Sequence, residues 1–193
     1  MTHQETDEFI KEKQEQIAIL LKDINSLRQS RELEPFLDYE LKDSEGNSVL
    51  LSSLFGDRSE LLMIHNMGKG CSYCTLWADG FNGLTKPLND RVPFVLISPD
   101  APSVMKEFAF SREWKFKCIS AFESNFTKEA GFSFDKEGKE YFYPGVSAFV
   151  KKDGQLFRAN KDYFGPGDMY CSVWHFFDLL PKPEKAWHPK FIY

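Results

Sequence analysis

The spacing of apolar residues changes period along the chain, and each change marks an element. From Asp7 to about Leu33, Ile10, Ile17 and Ile24 recur every seven residues with Leu20 and Leu27 between them, which predicts an amphipathic helix. After Pro35 the period becomes two. Residues 36–41 and 48–51 alternate on either side of the turn-forming stretch 42–47 and predict a β-hairpin, and residues 52–56 form a short helical turn ending at Gly56. Residues 60–66 form the next strand. Beyond Cys74, Trp77, Phe81, Leu84 and Leu88 make one apolar helical stripe, weakened by Gly80 and Gly83 and kinked or ended at Pro87.

The second half continues the alternation. Residues 92–98 are almost wholly apolar, as in a strand buried on both faces of a parallel sheet. Pro102 opens a helix that turns Val104, Met105 and Phe108 inward, and residues 115–121 make another strand. Residues 122–145 are rich in Phe and receive no assignment. Residues 146–150 and 155–159 flank Asp153-Gly154, the strongest short hairpin signal in the chain. Asp168 reads as the N-cap of a last helix carrying Tyr170, Val173, Trp174 and Phe177, which stops before Pro181. This order predicts an α/β fold, a mixed sheet flanked by helices with an N-terminal helix extension: helix over 1–34, domain over 35–181, tail over 182–193.

Composition narrows the function classes. With 193 residues the chain is long enough for one domain with a substantial core, and its 16% aromatic content, including 19 Phe, suits dense packing. A formal charge of −5 without a basic cluster argues against nucleic acid, and no apolar run reaches the length of a membrane span. The polar, acidic N-terminus lacks a secretory pattern, so a cytoplasmic protein is expected. The heptad spacing of the first helix supports a homodimer through a coiled-coil seam with Ile at a and Leu at d, interrupted by Lys13. A helix lying across its own domain satisfies the same pattern, since fewer than three heptads are clean.

Four cysteines are too few for a disulfide framework, but Cys71 and Cys74 stand two residues apart where strand, glycine-flanked turn and helix meet. Unpaired N–H groups and the positive dipole end of a first helical turn stabilise a thiolate. Lowering the Cys71 pKa from about 8.5 to about 7 raises its thiolate fraction at pH 7 from roughly 3% to roughly half. Lys69 adds a nearby positive charge. Cys71 is then the exposed sulfur and Cys74 the resolving one, a turn deeper. His65, at the strand end, is a candidate for tuning Cys71 or shuttling a proton, and also reads as a structural histidine. Tyr73, between the cysteines, is expected to be exposed and to meet substrate. Cys71, Cys74, Cys171 and His175 also supply the ligand types of tetrahedral zinc, although Cys171 and His175 read equally as i, i+4 neighbours on a core-facing helix. Cys118 and Cys171 otherwise read as buried small residues.

The residues 39–56, with Tyr39-x-Leu41-x-Asp43-x-x-Gly46 and Leu51-x-x-Leu54-x-Gly56, followed by an apolar strand and Cys71-x-x-Cys74, resemble the start of peroxiredoxin-like and thiol-reductase thioredoxin folds. The run 71–83, the strand ending Ile97-Ser98-x-Asp100-Ala-Pro102, and Trp114-x-Phe116-x-x-x-Ser120 with Asn125-Phe126 are similar to the thioredoxin-like family labelled predicted dithiol-disulfide oxidoreductases. The resemblance covers roughly residues 36–160. It implies a thioredoxin-like sheet, Cys71 as attacking and Cys74 as resolving cysteine, a protein or small-molecule disulfide or thiol as partner, and no bound cofactor. The chain departs at several positions from the families it resembles. Gly68 stands where peroxiredoxins carry a Thr three residues before the attacking Cys, and no Arg lies in 146–150. Thioredoxins place a cis-Pro where this chain has Val146, with Pro144 two residues earlier. The first expectation is therefore thiol–disulfide exchange. An unusual thiol-dependent peroxidase, in which Cys74 resolves a Cys71 sulfenic acid, and a non-catalytic thioredoxin-like interaction module are the alternatives.

Overall fold

The computed structural model describes residues 2–193. These divide into two compact units, one ending at Glu34 and one spanning Pro35–Tyr193. The first unit is α1 (His3–Ser30), whose N-terminus is closed by a capping box between Thr2 and Glu5; none of its residues is buried.

The second unit is built on a sheet of eight strands. In chain order these are β1 (Glu34–Phe36), β2 (Glu40–Lys42), β3 (Ser48–Leu50), β4 (Glu60–His65), β5 (Phe94–Ser98) and β6 (Lys117–Ser120). A separate two-stranded ribbon, β7 (Ser133–Lys136) and β8 (Lys139–Phe142), precedes β9 (Gly145–Lys152) and β10 (Gln155–Tyr163). The spatial order is β1-β10-β9-β4-β5-β6-β2-β3. β4, β5 and β6 are parallel, and β9 and β10 are antiparallel on one side. The connecting helices are α2 (Ser72–Phe81), α3 (Thr85–Arg91), α4 (Pro102–Ser111), α5 (Phe126–Glu129) and α6 (Ser172–Phe177). The expected mixed sheet with flanking helices is what forms.

Side chains alternate across a strand, so each central strand feeds two cores. Leu61 and Met63 of β4 and Val95 and Ile97 of β5 enter one apolar cluster with Phe126, Phe132 and Phe149. Ile64, Phe94 and Leu96 enter the other, which α2 covers with Trp77, Ala78 and Phe81. All five residues of β5 are buried, as its continuous apolar run requires. The Asp153-Gly154 hairpin also forms, with both turn residues at positive φ (52° and 78°) and a bulge between Arg158 and Asn160.

Three expectations are corrected, and one unassigned stretch is placed. Phe36 is not part of the early hairpin: β1 joins β10 at the opposite edge of the sheet, and only β2 and β3 pair with each other. The helix expected through Leu88 breaks at 3₁₀ turn Asn82–Leu84, leaving Leu84 exposed, and Pro87 sits inside the first turn of the new helix α3, where its missing N–H costs nothing. The unassigned stretch 122–145 folds as α5 and the β7–β8 ribbon, which delivers Phe126 and Phe132 to the core. Asp168 is not the cap of α6; Cys171 holds that position, and the Asp168 carboxylate accepts from the N–H groups of Gly165 and Tyr170 (both 2.9 Å) and from the Trp77 indole (3.3 Å). The tail belongs to the second compact unit: Arg112 donates to the Phe191 carbonyl at 2.6 Å, and Trp187 packs edge-on against Trp174 and Phe177.

The start of β9 allows no side chain. A Cβ on Gly145 would lie 2.3 Å from the Asp162 carbonyl oxygen and 2.5 Å from the Phe132 ring. Gly145→Ala must therefore push β10 or Phe132 aside, and is expected to cost about 2–3 kcal/mol, read as a lower urea midpoint at unchanged slope. A midpoint equal to the parent's would contradict this packing.

Candidate active site

β4 runs through a buried core and ends at the crevice beyond the carboxyl ends of the parallel strands, where α/β sheets place their sites. The loop that follows is shaped by its own polar groups. Asn66 donates its N–H to the Ile97 carbonyl (2.9 Å), and its side-chain oxygen accepts from the Gly68 N–H (2.7 Å). Gly68 has φ +102°, and a Cβ there would lie 3.1 Å from the Asp100 carboxylate. That carboxylate takes the Lys69 N–H at 2.7 Å and the Ser98 hydroxyl at 2.9 Å, while the Asp100 carbonyl accepts from Ser120 at 2.6 Å. Asp100, two residues beyond β5, thus clamps the turn that introduces the dithiol.

Cys71 is the N-cap of α2, with extended backbone (φ −100°, ψ 104°). Its Sγ accepts the Cys74 N–H at 3.1 Å, filling the role a serine or aspartate usually fills at this position. Its carbonyl accepts from both the N–H and the hydroxyl of Thr75, each at 3.0 Å. Cys71 is partly exposed and Cys74 is buried, with the Met67 N–H 3.5 Å from the Cys74 sulfur. A hydrogen bond from the Cys74 thiol, followed by the N–H groups of Cys74 and Tyr73, outweighs partial burial and brings the Cys71 pKa down to about 7. The Cys74 pKa is pushed upward, by its hydrogen bond to the Cys71 sulfur first and then by burial. The pair is therefore asymmetric: one half-ionised, accessible sulfur and one protonated, buried sulfur.

The other expected residues fall in different places. His65 points to the sheet face opposite α2, stacked on Phe132 (ring centroids 3.6 Å) and sharing a 2.9 Å hydrogen bond with Ser147. Burial, and then the positive charges of Arg158 and Lys161, hold its pKa well below the usual histidine range, so it is a neutral core residue. Lys69 is exposed and contributes its backbone N–H to the Asp100 clamp. Tyr73 is not the open residue expected: it is half-buried, stacked on Trp174, and its hydroxyl bonds His188 Nδ1 at 2.8 Å, so the C-terminal tail reaches the residue between the cysteines. Pro144 has a trans peptide bond and lines an apolar groove of about 210 Å³ with Met67, Tyr73, Trp77, Phe164 and Pro166. Val146 lies opposite Ile64 and packs into the core that α2 covers.

The zinc set is not assembled. Among the described residues no three His, Cys, Asp or Glu side chains come together as a metal site. Cys171 is buried in the α2 core, which raises its pKa, and His175 bonds the Asp168 carbonyl at 3.0 Å. Cys118 is likewise buried, its pKa pushed up to about 12. Asp100 and His188 join the site without being among the residues the sequence points to. Asp100 had a local signal, standing two residues before a helix-opening proline at a strand end, whereas His188 meets Tyr73 across 115 residues of sequence.

The family described as "Bacterial protein of unknown function (DUF899)" matches residues 9–188. A search of the curated proteins finds no match. Among solved structures, the chain is similar to the peroxidoxin BcpB of Mycobacterium tuberculosis, with TM-score 0.51 and 23% identity over 68% of this chain and 80% of that one. Peroxiredoxin Q of Xanthomonas campestris gives 0.52 and 16% over 65% and 79%. A peroxiredoxin-like protein of Aquifex aeolicus gives 0.55 and 15% over 68% and 74%. These likenesses establish a thioredoxin-like fold of the peroxiredoxin kind. No helix among the described residues is long and apolar enough to cross a membrane.

Alkylation of reduced protein by iodoacetamide should modify Cys71 alone, at a rate that rises with pH through a midpoint near 7, because only the thiolate reacts. Cys74→Ala removes the thiol donor and should raise that midpoint, whereas Cys74→Ser keeps a donor and should hold it near the parent value. Equal midpoints in the parent and the alanine variant would contradict the assignment.

Proposed function

This chain belongs to the DUF899 family of bacterial proteins, and we propose that it exchanges its Cys71–Cys74 dithiol with a substrate disulfide. The observation that carries the reading is the asymmetry of the pair: the partly exposed Cys71 sulfur caps α2 by accepting the Cys74 N–H and has a lowered pKa, while the Cys74 thiol is buried and its pKa raised. With a pKa of about 7 instead of 9.0, the thiolate share at pH 7 rises from about 1% to about half.

The reaction balances on two electrons. The Cys71 thiolate attacks one sulfur of the substrate disulfide, forming a mixed disulfide and expelling the other substrate sulfur as a thiolate. Bond formation removes the negative charge from Cys71, and with it the coulombic penalty that helps hold the proton on Cys74. Cys74 then loses its proton to solvent or to the departing thiolate and attacks the Cys71 sulfur. The second substrate thiolate leaves, the substrate disulfide has been reduced to two thiols, and Cys71 and Cys74 share a disulfide. A thiol reductant returns the pair to the starting state.

The peroxidase reading draws on the structural neighbours, whose names include peroxidoxin and peroxiredoxin. In it the Cys71 thiolate takes an oxygen atom from a hydroperoxide to give a sulfenic acid and an alkoxide or hydroxide. Cys74 then condenses with the sulfenic acid, releasing water. The dithiol serves both reactions, and the choice between them is a matter of substrate.

Reaction of the Cys74→Ser variant with an activated disulfide should stop at the mixed disulfide, visible as a stable mass adduct on Cys71, while Cys71→Ser should form none. The parent protein should turn over a disulfide substrate, with peroxide consumption measured alongside. An adduct on Cys74 in Cys71→Ser, with activity retained, would overturn the proposed roles.

A further inference from the structure

α1 is 28 residues long, about 42 Å, and none of its residues is buried. A soluble helix normally hides its apolar stripe, yet here Ile10, Ile17 and Ile24 are 40–55% exposed and Leu20 and Leu27 are 60% and 70% exposed. We propose that the occupant of this stripe is α1 of a second copy of this chain, in a parallel two-stranded coiled coil.

The pattern of α1 itself supports the choice of occupant. With Ile10 at a, the a positions carry Ile10, Ile17 and Ile24 and the d positions Leu20 and Leu27, and β-branched residues at a with Leu at d favour two parallel strands. Phe9 falls at g and Leu21 at e, where they widen the seam. In a parallel pair a g residue faces the e residue five places on in its partner. Asp23 occupies g and Arg28 occupies e, so the two-fold axis sets Asp23 against the Arg28 of the other copy, twice, with opposite charge. An antiparallel pair sets g against g and loses this match. Lys13 is the one charged residue at a d position in the seam; its ammonium bonds Gln16 at 3.3 Å in the same helix, and a polar seam residue specifies register at a cost in stability. Four heptads offer about 16 seam and flanking residues a side, against the 20–30 of a standard interface, so the dimer is reversible and dependent on concentration.

Sedimentation velocity on the full chain over a micromolar concentration series tests this directly. The parent should shift from the chain's mass to twice that mass. The double variant Ile17→Glu, Leu20→Glu should stay at the monomer mass, and Lys13→Leu should tighten the dimer by about tenfold or more. Asp23→Arg should weaken association, and adding Arg28→Asp should restore it, which only the parallel register explains. Unchanged alkylation of Cys71 in each variant shows that the second unit is folded. A parent that is monomeric throughout, with Lys13→Leu no different, would overturn the proposal. A dimer that survives the double glutamate variant would overturn it equally, by placing the interface elsewhere.

Discussion

The hydrogen bond from the Cys74 N–H to the Cys71 sulfur is the interaction on which the rest of the site depends. It makes a cysteine the cap of α2, so the helix begins at the dithiol, and charge on that sulfur is favoured by the same N–H groups that any helix end leaves unpaired. A cap must approach with extended backbone, and the turn before it is short. Asn66, the positive φ of Gly68 and the Asp100 carboxylate together satisfy that requirement, and they tie the turn to β5 and β6. The site is therefore held by the parallel heart of the sheet, and only its outer rim is made of loops.

That arrangement explains the asymmetry of the two cysteines. One helical turn separates an accessible sulfur from a buried one; the amides of the first turn help lower the pKa of the former, while burial and the neighbouring sulfur raise that of the latter. His65, although it immediately precedes the loop, takes no part, because strand alternation sends it to the other face, where Phe132 and Ser147 occupy it. The C-terminal tail takes a larger part than its composition suggested. Through His188 and Trp187 it covers the aromatic face formed by Tyr73 and Trp174, which leaves the groove beside Pro144 as an open apolar surface adjoining the dithiol loop.

Much of this was legible in the sequence where the signal was local. The apolar run of β5, the Asp153-Gly154 turn and the cysteines at a strand-to-helix junction each report their structure within about ten residues, and the sheet's parallel section follows from their order. The failures share a physical cause. Phe36 left the early hairpin for the far edge of the sheet because its partner, β10, lies more than a hundred residues on. The stripe through Leu84 breaks at the 3₁₀ turn Asn82–Leu84, where the Asn82 side chain bonds the distant chain at 113–115. The β7–β8 ribbon carries no period of its own, since most of both its faces is exposed or half-buried and the core residues Phe126 and Phe132 lie beside it and not in its strands. The contact of Tyr73 with His188 is a property of the folded chain alone.

The most direct test of the account is a redox titration of the purified protein in glutathione buffers, following the Cys71–Cys74 pair by quantitative thiol labelling and mass spectrometry. One cooperative two-electron transition is expected, confined to these two cysteines and absent in Cys71→Ser and in Cys74→Ser, with Cys118 and Cys171 reduced throughout. A pair that never forms a disulfide between fully reducing and fully oxidising buffer would contradict it.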